Sequence, residues 1–209
     1  MSANPFSPDD YLKRQVLSPR DVLLLGVDSA VLRARETLMD LTDEEYNWEP
    51  LSEAERLHDI ALSAETKRVW RVFQVNNVYT YDYADGNLDP PPFTTIAWIM
   101  NPIAQTADMY LYCIKTGKPV GEEKAWDDLP VCPNLSDMRD YIFQALQNTI
   151  AYLLTLDESQ IHDELNKLTP APWGEMRPTY LNLWGGIIEH ALQHIMQISV
   201  RKERIRERF

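Results

Sequence analysis

A chain of 209 residues, 44% hydrophobic and 25% charged, is long enough to bury a core without covalent staples. Its two cysteines, Cys113 and Cys132, lack Cys-x-x-Cys spacing, which argues against a disulfide framework and against a thiolate zinc site. The formal charge of −12 argues against nucleic-acid binding, because neutralising phosphates takes a basic surface.

Residues 1–17 read as a polar N-terminal extension without the apolar core of a signal peptide. No run of about 18 apolar residues follows, so a membrane span is not expected and the expected location is cytoplasmic. The remaining 18–209 read as one domain. Its first helix opens at Ser18-Pro19-Arg20-Asp21, where serine caps, proline suits the first position and an acid follows. Leu24, Val27, Val31, Ala34, Leu38 and Leu41 then recur at threes and fours, a core-facing stripe. Thr42 with Glu45 has capping-box spacing for a short following helix.

From Tyr46 to Phe93 the pattern is mixed. Aromatic and β-branched residues cluster at 69–73 and 78–81, and Asp89-Pro90-Pro91-Pro92 breaks the chain. The expectation is a helical piece and a long irregular connection over one end of a bundle. A second long helix spans about Thr95 to Thr116, with Ile96, Met100, Ile103, Ala107, Tyr110 and Ile114 on its apolar face. Pro102 removes one of its hydrogen bonds, so a kink or a restart capped by Asn101 is expected. A third helix begins near Ser136 and carries Ile142, Leu146, Ile150 and Leu153. A fourth runs from about Pro178 towards Arg206 on Trp184, Ile188, Ala191, Ile195 and Ile198. Leu38-Met39-Asp40-Leu41-Thr42-Asp43-Glu44 echoes Leu153-Leu154-Thr155-Leu156-Asp157-Glu158, each at the end of an odd-numbered helix. The fold class is all-α, a four-helix bundle. Arg201, Lys202, Arg204, Arg206 and Arg208 close the last helix, where cations complement the macrodipole.

The chemistry concentrates in His190-Ala191-Leu192-Gln193-His194. Two histidines four apart project from one helical face and can bind one divalent ion, or they can satisfy each other's hydrogen bonds. A carboxylate is needed beside two imidazoles, and Glu65, Asp108 and Glu189 are candidates. Glu189 points about 100° away from His190 around the helix. His162 follows the third helix and is expected on the surface.

The run Thr94-Thr95-Ile96-Ala97-Trp98-Ile99-Met100-Asn101-Pro102-Ile103-Ala104 resembles the second-helix signature of the DinB-like family. The fourth helix, HALQHIMQISVRKERI, is similar to that family's metal-binding helix, and Leu41 to Pro50 resembles its end of helix one. The resemblance spans about residues 20 to 205. It implies a four-helix bundle, often a homodimer, binding nickel or zinc through three histidines, two of them His190 and His194. It also implies a hydrolase or a thiol-dependent transferase acting on a small molecule, without nucleic acid or membrane as partner. The family's remaining histidine stands four residues after the tryptophan, and here that position is Pro102. His58 is then the possible third ligand, and Trp98, Asn101, Tyr110 and Trp184 are expected to line the pocket. The alternative is a bundle that has lost metal and serves as a small-molecule-binding or dimerisation module.

Overall fold

The computed structural model describes residues 17–84, 87–121 and 123–208; the expected extension lies outside them except for Leu17. Helix α1 (Pro19–Leu38) starts where expected. The Ser18 hydroxyl accepts from the Asp21 N–H, and the Asp21 carboxylate accepts from the Ser18 N–H, so two N–H groups without a helical partner are satisfied. All six residues of its apolar stripe are buried. Thr42 and Glu45 make the same reciprocal cap on α2 (Asp43–Asn47).

The connection between the first two long helices is not irregular, and the fold is not purely helical. It holds α3 (Glu53–Ile60), β1 (Val69–Trp70), β2 (Val72–Val75), β3 (Val78–Tyr81) and β4 (Phe93–Thr94). Strand β1 pairs in parallel with β4, and β2 and β3 form an antiparallel hairpin. The hairpin turn is Asn76-Asn77, with φ of 49° and 64°, a conformation that asparagine tolerates better than other non-glycine residues. Buried Asp59 accepts from the Arg68 and Val69 N–H groups and from the Arg71 guanidinium. Arg71 also bonds Glu49, and Asp82 accepts from the Arg71 N–H and from Lys67. These charges hold the segment together where its apolar area is small.

Helix α4 (Ile96–Thr116) is capped by Thr95 and passes through Pro102 without a restart. The Asn101 side chain caps nothing: it donates to Ala97 O and accepts from the Cys132 N–H. Then follow α5 (Leu135–Thr155), α6 (Ile161–Asn166) and the antiparallel pair β5 (Leu168–Pro170) and β6 (Met176–Pro178). The last long helix is composite. A turn, α7 (Thr179–Leu181), continues as a π-helical stretch, Asn182–Glu189, and then as α8 (His190–Arg206).

The long helices pack in a ring, α1 against α5, α5 against α4, α4 against the composite helix, and that helix against α1. Their directions follow from end contacts. Arg20 at the start of α1 bonds Leu156 O past the end of α5, while Arg139 at the start of α5 bonds Leu38 O and Leu41 O past the end of α1. These two helices are antiparallel, and each arginine satisfies carbonyls at the end of the other, where the sequence echo lies. Asn101 to Cys132 and Tyr141 to Asp108 advance together, so α4 and α5 are parallel. A parallel pair cannot be closed by a tight turn. Residues 117–134 therefore travel back along the outside of α4, and this return builds one wall of the candidate site.

Candidate functional site

The π stretch contains Gly185-Gly186, and Gly186 is there for space. A Cβ on it would lie 2.4 Å from the Tyr110 ring, so the helix and α4 approach closely only because that position lacks a side chain. Irregular helical turns of this kind concentrate near functional positions, and His190 follows directly. His190 and His194 are both half-buried, with their Nε2 atoms 3.2 Å apart. Burial pushes both rings below their ordinary value, His190 to about 4 with His194 as the second cause. Both are therefore neutral imidazoles at neutral pH, the form that binds metal.

One neighbour favours a tautomer at His194. His194 Nδ1 lies 3.1 Å from Gln197 Oε1, so Nδ1–H donates and the Nε2 lone pair is left facing His190. His190 Nδ1 is buried without a partner. Two nitrogens each about 2.05 Å from one zinc at the tetrahedral angle stand about 3.3 Å apart, close to the observed separation. The pair thus fits two positions on an ion.

The rest of the shell is not there. Among the described residues, no group of three His, Cys, Asp or Glu side chains is placed to hold a metal. Thr94 Oγ1 accepts from Arg201, and the Tyr110 ring abuts Gly186. Both contacts join α4 and its approach to the composite helix, and on α4 the position where the resemblance expects a histidine is Pro102. Proline offers no donor. His58 is exposed in the last turn of α3. Glu65 is exposed before β1, Asp108 accepts from Tyr141 towards α5, and exposed Glu189 accepts from Gln193. His162 is exposed and contacts Asn166. The donors fit part of a metal site and do not close one.

Pro102 instead lines a cavity of about 1,140 Å³. Its floor is one face of α4, Trp98, Pro102 and Gln105. Its walls are the β2–β3 hairpin and the returning segment with Trp126, Asp127 and Pro130. Gln105 ties the walls together, accepting from the Tyr81 hydroxyl and donating to Pro130 O while itself only 2% exposed. The Trp98 indole donates to Asp82 O at 2.6 Å, and its ring packs between Trp70 and the edge of Tyr81. Of the four side chains expected at the pocket, Trp98 lines this cavity. Asn101 is fully buried as a loop anchor, Tyr110 packs between Gly186 and Trp173, and Trp184 lies against Gly26 with 43% exposure. Tyr79, Tyr81, Tyr83, Trp126 and Trp173 were not anticipated. The available signal was aromatic residues in turn-rich connections, off every helical stripe, where a core role does not explain them.

The basic C-terminal cluster serves the fold. Lys202 donates to Thr37 O and Asp40, Arg206 to Asp40 and Glu45, and Arg201 lies 3.8 Å from the Phe93 ring centroid. Both cysteines are buried and their thiols are pushed up by that burial, Cys132 to about 11. No helix among the described residues is long and apolar enough to cross a membrane. Residues 30–198 match the DinB superfamily. No curated protein matches the chain.

Proposed function

The chain belongs to the DinB superfamily, and from that premise we propose that it is a small-molecule-binding member whose working site is the aromatic cavity. Its histidine pair is what remains of a three-ligand metal seat. The observation that carries this reading is Pro102, which stands where the resemblance expects a ligand and lines the cavity instead. Two imidazoles hold a divalent ion weakly, and the cavity is of the size and largely apolar character of small-molecule sites.

The test is metal retention. The natural chain is expected to leave gel filtration without bound metal and to gain little melting temperature on zinc or nickel titration. Pro102→His is expected to raise zinc affinity by more than about tenfold, a gain lost again in the Pro102→His/His194→Ala double variant. One ion held tightly per natural chain, and released on His194→Ala, would overturn the reading.

A second reading has its own observation. The Nε2 separation matches two positions on one ion, and donation from His194 Nδ1 to Gln197 leaves the His194 Nε2 lone pair for it. His190 would join by moving its proton from Nε2 to Nδ1. A thiol or carboxylate ligand would complete the shell, which suits a metal-dependent hydrolase or a thiol-dependent transferase. Zinc and a low-molecular-weight thiol would then bind cooperatively, each tightening the other by the same factor. Independent binding would remove this reading. The homodimer implied by the resemblance is proposed with either; light scattering at twice the 24.3 kDa chain mass is its expected signature, and a single-chain mass would dismiss it.

A further inference from the structure

Six aromatic side chains line the cavity: Tyr79, Tyr81, Tyr83, Trp98, Trp126 and Trp173. Aromatic residues of a helical bundle ordinarily disappear into its core, yet Tyr83 and Trp173 are 65% and 62% exposed. Among the described residues the single charged side chain in the lining is Asp127, and no lysine, arginine or histidine lines it. Among the described residues no ion pair engages the Asp127 carboxylate. Its charge reaches the interior of the cavity: the Tyr81 hydroxyl is pushed up by burial first and by Asp127 next.

The chemistry of such a lining is selective. Aromatic faces carry negative quadrupole charge and attract cations, best those that shed water easily. A phosphate or carboxylate ligand would meet Asp127 with no basic group to hold it. A bare metal ion would find one carboxylate and no further charged donor. Rings elsewhere in this molecule already carry cations, Arg201 on Phe93 and Lys67 on Phe73 at 4.9 Å. Of the lining rings Trp173 is already covered, by Arg177 at 5.4 Å, a guanidinium outside the lining that is paired with Glu175, while for Tyr83, Trp98 and Trp126 no such partner occurs among the described residues.

We propose that the cavity binds a small organic cation, a quaternary or methylated ammonium compound, with the aromatic rings around its head and Asp127 as counter-charge. The volume of about 1,140 Å³ exceeds a trimethylammonium head, so the ligand carries an apolar body as well. This inference rests on the cavity being the working site.

The experiment is calorimetric titration of the full chain with benzyltrimethylammonium, with its uncharged tert-butyl isostere and with benzoate, at low ionic strength. The cation is expected to bind about tenfold tighter than the isostere. Asp127→Asn and Trp126→Leu are each expected to weaken the cation about three- to tenfold. Both side chains are exposed, so the melting temperature of the variants should match that of the natural chain, which separates lost binding from lost folding. Equal affinity for cation and isostere, preference for benzoate, or no binding of any probe would each overturn the cation assignment. Metal retention decides the underlying reading separately.

Discussion

Gly186 and the histidine pair show how much single positions decide here. Gly186→Ala would drive a methyl into the Tyr110 ring, which is itself pinned edge-on to Trp173. The expected loss is about 1–3 kcal/mol in urea unfolding, and a variant that also carries Tyr110→Ala should recover the close approach without recovering the aromatic packing. A loss below about 0.5 kcal/mol would mean the helix shifts freely. The histidines make a pH prediction. Burial, and for His190 its neighbour, lowers the folded values, His190 from 6.5 to about 4. The unfolded chain takes up protons near pH 6.5 that the folded chain refuses, at His190 until about 4. This contribution is therefore complete above pH 6.5 and is lost as pH falls through that window. In EDTA, His190→Gln/His194→Gln should show a shallower fall of melting temperature across it than the natural chain. Parallel curves would show that the fold does not hold the pair neutral.

At the scale of elements, the informative contrast is between α1 and the β2–β3 segment. The caps and stripe of α1 were legible because they are local: hydroxyl, acid and apolar spacing act within a few residues. The hairpin was not, although Asn76-Asn77 marks a two-residue turn. Its strands are short, and it is held by Asp59, Arg71, Glu49 and Asp82, whose pairing is set by the folded chain. Asp59→Ala would leave the buried Arg71 guanidinium short of one partner and two N–H groups unanswered. The expected cost is roughly 3–5 kcal/mol by denaturant unfolding, with early proteolysis inside residues 60–82. A cost under about 1 kcal/mol would show that water replaces the carboxylate. Pro102 was read in part at the same scale. A kink or a restart was expected from its missing N–H; no restart occurs, because packing of α4 on both neighbours, with Asn101 bonded to Ala97 O and Cys132 N, keeps one helix.

The whole molecule is closed by contacts far apart in sequence. Lys202 and Arg206 bind the turn after α1, 161 to 166 residues away, and hold the Asp40 carboxyl at about 2, Lys202 being the larger cause. Ile205 beside them is 1% exposed. Removing residues 201–209 is expected to cost about 3–5 kcal/mol, from one buried isoleucine and several charge-assisted hydrogen bonds. Unchanged stability would show that the helix end is dispensable.

The four long helices, the caps of α1 and α2 and the histidine spacing were decided by the sequence alone, because periodicity and short-range hydrogen bonding need no partner from elsewhere. Family membership was legible too, since its motifs are contiguous. The parallel course of α4 and α5 belongs to the tertiary structure, and with it the return of residues 117–134 over α4. That return brings Trp126 and Asp127 to Trp98 and to the hairpin tyrosines, side chains that share no sequence pattern. A cavity is a relation between distant walls, and only packing brings those walls together.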